Sequence, residues 1–154
     1  MGKKVKLDVL MKVRLQANLE ATYLEQAHCG TEELLVSLLA GDNFLAADVL
    51  RQSGIDREAA RAAIKELFPR GAQRSKAHRI AWTFNPTIKP QLSPNAERAM
   101  EQAAQEAEQR GCERIESEHI LLGLLKIESS GAARVLEHLG VSPEAVYRQL
   151  MSRL

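Results

Sequence analysis

Residues 31–64 of this chain return at 117–150 without a gap, at a constant offset of 86 positions from Thr31 to Ser117. Under that offset Glu32 falls on Glu118, Leu35 on Leu121, and Leu38 and Leu39 on Leu124 and Leu125. Ala46 and Ala47 fall on Ala132 and Ala133, Val49 and Leu50 on Val135 and Leu136, and Gly54 on Gly140. Upstream the register still holds, with Ala17 on Ala103, Glu20 on Glu106 and Ala21 on Ala107. The matches fall mostly on apolar and punctuating positions, which are the positions two copies of one folding unit must share. A chain built this way folds as a repeated module, and its function lies where the copies agree and where they part.

The module is helical. Its first helix is expected over about 8–27, with Leu10, Val13, Ala17, Ala21 and Leu24 at helical spacing. Thr31 is expected to cap a second helix that turns Leu34, Leu35, Leu38 and Leu39 inward and ends near Gly41. Asp42 or Asn43 opens a third, with Leu45, Ala46, Val49 and Leu50 inward, ending at Gly54. Asp56 caps a fourth that Pro69 stops. In the second copy Ser93–Pro94 and Ser142–Pro143 each set a hydroxyl before a proline at the first helical position, and Ser117 takes the place of Thr31. Glycines 111, 131 and 140 mark breaks. The expected fold is all-α: two pseudo-symmetric four-helix repeats, 8–68 and 93–152, eight helices packed as one domain over 1–154. The connector 69–92 has no helical period; it is basic at Arg70, Arg74, Lys76 and Arg79, then alternates Ile80, Trp82 and Phe84.

Composition narrows the classes. An apolar fraction of 45% supports a core, and 4% aromatics with abundant Ala and Leu favours close helix packing. A net charge of +1 gives no general drive toward nucleic acid or membrane. No apolar run approaches the roughly 20 residues needed to span a bilayer. Cys29 and Cys112 read as reduced thiols rather than a disulfide framework, and a cytoplasmic, soluble chain is expected.

The strings HCGTEELLVSLL (28–39) and RIESEHILLGLL (114–125), followed by helices ending VLRQSG and VLEHLG, resemble the Clp N-terminal repeat, as does LSPNAERAMEQAAQEAEQRG (92–111). The second copy fits more closely; the first has Glu33 where the family norm is histidine. The resemblance implies a double four-helix domain that docks adaptors and substrates at the front of AAA+ unfoldases feeding the Clp protease, or a small free-standing protein associated with that machinery. It therefore implies Clp ATPase or Clp protease subunits, adaptors or substrate proteins as partners, and no cofactor. The sequence holds no G-x-x-x-x-G-K-[ST] phosphate loop, so no ATP hydrolysis is expected of it.

Two helix starts are the candidate peptide- or substrate-binding sites, Thr31–Glu32 and Ser117–Glu118. A helix N-terminus suits an anion and an adjacent carboxylate suits a guanidinium or ammonium, so together they suit a group carrying both charges. The resemblance implies more: in some family members the matching glutamates read phosphorylated arginine. The alternative is that Thr31 and Ser117 are plain caps and the glutamates only favour the helix dipole. The second site departs from the motif, because Glu116 stands where the first keeps Gly30.

Elsewhere the copies disagree sharply. Met11, Leu15, Leu19 and Tyr23 form an apolar stripe, while their partners Glu97, Glu101, Gln105 and Gln109 are polar. Either the connector lies across the stripe, with Trp82 and Phe84 as anchors, or the stripe docks a Clp subunit or a second copy of the chain. No catalytic or metal-ligating spacing stands out: Cys29 aligns with Ile115 and reads as a core thiol, and His119 and His138 align with polar positions and read as exposed. Glu106, with Glu108, Glu113, Glu116 and Glu118, reads as a solvated acidic patch. The basic connector lacks an aromatic platform for nucleic acid, a poor fit to that class of partner. A non-enzymatic protein-interaction module is the expected function, with self-association through the stripe as the alternative.

Overall fold

In the computed structural model, which describes residues 8–26, 28–69 and 91–154, the duplication appears as two sets of four helices. The first set is α1 (Asp8–Tyr23), α2 (Thr31–Leu39), α3 (Leu45–Gln52) and α4 (Arg57–Leu67). The second is α5 (Pro94–Gln109), α6 (Ser117–Leu125), α7 (Gly131–His138) and α8 (Pro143–Met151). Asp56 accepts from the Ala59 amide at 2.7 Å and Ser93 from the Ala96 amide at 3.1 Å, so the expected caps form, with Pro94 and Pro143 in the first turns they open. Gly54 and Gly140 end α3 and α7 at φ of 86° and 79°. In both cases the chain then folds back, the Ile55 amide bonding Leu50 O and the Val141 amide bonding Leu136 O, which only a residue free to adopt positive φ allows cheaply.

Helices α2 and α6 are the buried centre. Leu34, Leu35 and Leu38 are fully covered, as are Ile120, Leu121 and Leu124 of the second copy. The repeats meet through equivalent pairs: α2 with α7 mirrors α6 with α3, and α4 with α7 mirrors α8 with α3, while α2 and α6 face each other about the pseudo-axis. Each copy's first helix lies over its second through an alanine-rich face, Val13, Ala17 and Ala21 in one and Ala99, Ala103 and Ala107 in the other. The seams differ in one detail. Ser37 donates to Val13 O at 2.7 Å, whereas its counterpart Gly123 brings α6 directly onto the backbone of Ala99 and Ala103, where a Cβ would not fit. Two strand pieces join the copies, β1 (His28–Cys29) running parallel to β2 (Gln91–Leu92); sequence periodicity cannot signal so short a pairing.

Several expectations shift. Helix α1 ends at Tyr23, earlier than expected, where Glu25 takes a positive φ of 55°. Helix α3 starts at Leu45 rather than Asp42 or Asn43; Phe44 holds the N-cap position and offers no side-chain acceptor. Glu106 is not part of a solvated patch: it is 4% exposed, paired with Lys126 and Arg110. His119, expected at the surface, is buried, while His138 does lie outward against Glu66 at 2.7 Å.

Candidate docking site at Glu32

Thr31 and Ser117 do not cap their own helices; each is the first residue of its helix, behind Gly30 and Glu116. Their hydroxyls cap the other copy. Thr31 Oγ1 accepts from the Ala132 amide of α7 at 2.9 Å, and Ser117 Oγ accepts from the Ala46 amide of α3 at 3.2 Å. Ala46 and Ala132 are themselves partners under the offset, so the exchange is reciprocal. In the second copy the hydroxyl also reaches the neighbouring glutamate, Ser117 Oγ donating to Glu118 Oε2 at 3.4 Å. The sequence could not reveal this, since a hydroxyl at a helix start looks the same whichever helix it serves.

The exchange carries the N-terminus of α7 onto Glu32. A cavity of about 270 Å³ opens there, with Gly30, Thr31, Glu32 and Gly131 on one side. Ser93, Pro94 and Asn95 at the start of α5 close another side, with His28 and Phe68 completing the wall. Three helix N-termini therefore border one half-buried carboxylate, a setting that favours anions beside a group that favours cations. Burial pushes the Glu32 carboxyl above its ordinary range, opposed by its own backbone amide, Glu33, Arg134 and Thr31. Arg134 lies 4.9 Å from the Phe68 ring centroid, so a guanidinium stands at the cavity edge. Gly131, Phe68, His28 and Arg134 escape a reading of the motif alone. Gly131 and Arg134 leave a trace in the sequence, as mismatches with Leu45 and Asp48 under the offset.

Directly beneath, Glu33 is fully buried, its Oε2 accepting from the Gly30 amide at 2.9 Å. Its counterpart His119 accepts through Nδ1 from the Glu116 amide at the same 2.9 Å. Burial and then the Glu32 charge hold the Glu33 carboxyl well above the usual carboxylate range, and its Oε1 is buried without a hydrogen-bond partner among the described residues. Burial beside a second carboxyl favours the protonated form of Glu33. Burial likewise lowers His119, favouring the neutral ring that the amide requires. Cys29 is fully buried next to this pair, its thiol pushed up to about 12 by burial and by Glu33 and Glu32, which fits a core thiol and not a nucleophile.

The second site is assembled from different residues. Glu118 is half-buried beside Ser117, but Glu116 and Leu45 occupy the positions of Gly30 and Gly131. Arg114 pairs with Asp8 at 3.8 Å where the first site has His28 and Pro94.

The stripe of α1 is open among the described residues: Met11, Leu15, Leu19 and Tyr23 are 54% to 63% exposed. Arg61 and Lys65 reach over the Tyr23 ring at 4.7 and 5.5 Å. Trp82 and Phe84, expected as its anchors, lie outside the described residues.

The Clp repeat (R) N-terminal domain model matches residues 91–154, the whole second copy with β2. The chain carries a Clp N-terminal domain. Over 141 residues it is 34% identical to the chloroplastic ATP-dependent Clp protease ATP-binding subunit ClpA homolog of Brassica napus and, equally, to the chloroplastic chaperone protein ClpC1 of Arabidopsis thaliana. These matches cover 92% of the chain but 15% and 14% of those proteins, so the chain spans only a small part of their length. As a Clp N-domain it also has solved neighbours in fold. The N-terminal domain of the caseinolytic protease associated chaperone ClpD from Arabidopsis thaliana superposes with a TM-score of 0.74 at 24% identity, covering 96% of both chains. The Hsp104 N-terminal domain from Candida albicans superposes at 0.69 with 14% identity, over 97% of this chain and 90% of that one. No helix among the described residues of this Clp N-domain is long and apolar enough to cross a membrane.

Proposed function

We propose that this chain is a non-enzymatic docking module of the Clp chaperone and protease system, its two repeats acting as one domain, and that the cavity over Glu32 receives a charged group of a substrate or adaptor protein. The observation that carries this reading is the juxtaposition of one half-buried carboxylate, three helix N-termini and the Arg134 guanidinium around an open cavity. A guanidinium linked to an anion satisfies both halves, and phosphorylated arginine is the side chain of that description. The test is fluorescence anisotropy with a peptide carrying phosphorylated arginine beside its unphosphorylated twin. Preference for the phosphorylated peptide, lost in Glu32→Gln, supports the reading; equal binding of both peptides overturns it.

A second reading rests on the exposed stripe of α1, four large apolar side chains in one row on a surface helix. In that reading Met11, Leu15, Leu19 and Tyr23 hold a Clp subunit or a second copy of this chain. Sedimentation of the native chain against Leu15→Glu and Leu19→Glu tests self-association: a concentration-dependent dimer dissolved by either change supports it, and a monomer throughout removes it.

A further inference from the structure

We infer that only the first repeat's site is open to a ligand, and that Gly131 and Arg134 on one side, against Leu45 and Asp48 on the other, decide which of the two glutamates reads the partner. This rests on the docking reading above and names the residues that set its specificity.

The exchanged caps fix the comparison. The Thr31–Ala132 and Ser117–Ala46 hydrogen bonds are equivalent, so α7 meets the first glutamate as α3 meets the second. Leu45 therefore holds in the second copy the position that Gly131 holds beside Glu32 in the first. A Cβ built on Gly131 would fall inside the van der Waals shell of Glu32 Oε2, and one on Gly30 would press on both carboxylate oxygens. At those two positions the second copy carries the side chains of Leu45 and Glu116. Glu118 cannot take the placement Glu32 takes, and the space a ligand would use is already furnished.

Charge separates the sites in the same direction. Arg134, which lowers the cost of ionising Glu32, is replaced by Asp48 in the second copy. Pro94 is replaced by Asp8, and Gly30 by Glu116. Asp48, Asp8 and Glu116 thus stand at the positions that Arg134, Pro94 and Gly30 hold in the first copy, while the buried Glu33 of the first becomes His119 in the second. A phosphoryl group brought to the second site lacks the cation that Arg134 supplies at the first site and meets the added carboxylate of Glu116. Asp8 pairs with Arg114 at 3.8 Å and Asp48 with Arg51 at 3.9 Å, so the difference that remains among the described residues is a guanidinium beside Glu32 with no counterpart beside Glu118 and an added carboxylate at Glu116.

Calorimetry with phosphoarginine as the probe reads the number of sites. One site per chain is expected for the native protein, at least tenfold weaker in Gly131→Leu and unchanged in Glu118→Gln. The atoms a side chain at 131 would meet first are the far end of the flexible Glu32, so Gly131→Leu fills the site without a backbone clash. In Leu45→Gly/Glu116→Gly/Asp48→Arg the stoichiometry rises from one toward two. Two equal sites in the native chain, or binding that survives Gly131→Leu and vanishes in Glu118→Gln, would overturn the inference. An absence of heat with phosphoarginine would sink the docking reading instead. Amide chemical shifts under methylguanidinium then decide the asymmetry on their own. Shifts at Gly30 and Gly131 without shifts at Glu116 and Leu45 support it, and equal shifts, or none at either site, contradict it.

Discussion

The two repeats share one backbone plan and nearly one core, yet they solve the same local problems with different side chains. Position by position, Thr31 and Ser117 do the same work, each capping a helix of the other copy. Glu33 and His119 accept the same amide at the same distance with opposite acid–base character. Gly131 and Leu45 begin equivalent helices, the first bordering the Glu32 cavity with no side chain and the second carrying a large one. Glu20 and Glu106 are both buried, but the first is clasped by Arg57 and Arg61 of α4 and the second by Lys126 and Arg110. Positions that hold the two copies together have stayed alike in kind, and those that line the Glu32 cavity or face solvent have diverged. The lesson is that pseudo-symmetry in this fold constrains the seam and leaves the sites free.

The buried ion clusters should break the equivalence most visibly. Arg61 reaches both oxygens of Glu20 at 2.7 and 2.9 Å and Arg57 reaches one at 2.6 Å, with Glu20 only 1% exposed. Burial alone would raise the Glu20 carboxyl, but the hydrogen bonds from Arg61 and Arg57 hold it below its ordinary range. Glu20→Gln leaves two guanidiniums without their charge partner and should cost about 3 kcal/mol, the scale of a broken buried pair. Glu106→Gln should cost less, about half as much, because Lys126 and Arg110 are single-point contacts and a third or more exposed. Urea midpoints of the two variants measure the difference; equal losses would mean that the second cluster is as tightly held as the first.

The exchanged caps come next. Thr31→Val and Ser117→Ala each remove the acceptor of a helix-start amide, for about 1 kcal/mol apiece. Chemical denaturation of both single variants and the double variant should show each loss destabilising the molecule as a whole in one transition. Separate transitions for the two copies would contradict a seam built from reciprocal caps.

How much of this was legible beforehand follows from what sequence can encode. The eight helices of the described residues, the Asp56 and Ser93 caps and the glycine stops at 54 and 140 came from local patterns: spacing, capping residues and the need for positive φ. The duplication supplied the pairing of the copies. The destination of the Thr31 and Ser117 hydroxyls was hidden, because a cap donated across 101 or 71 residues leaves no local signature. The burial of Glu106 and His119 was hidden too, since a charged or polar letter reads as surface until its partners in space are known. At the site itself Glu32 was legible and its cavity was not: the walls come from α5, α7 and the end of α4.

The smallest effect at any single pH, and the most specific, concerns the two acceptors of the capping amides. Folded Glu33 holds its proton more tightly than in the unfolded chain, so its contribution to stability is full below the ordinary carboxylate value and is lost as pH rises through the raised folded value. Folded His119 holds a proton less tightly, so its contribution is present above the ordinary histidine value and lost as pH falls through the lowered one. Thermal midpoints across pH 4 to 9 should thus show Glu33→Gln flattening the alkaline decline and His119→Gln flattening the acidic one. The reverse assignment would mean that the two positions are not electrostatic opposites.

One measurement bears most directly on the claim that one fold, used twice, has kept a single working site: the affinity of a phosphoarginine-bearing peptide for Glu32→Gln beside Glu118→Gln. The account predicts a loss of tenfold or more for Glu32→Gln and less than a twofold change for Glu118→Gln. Comparable losses in both, or a larger one at Glu118, would contradict it.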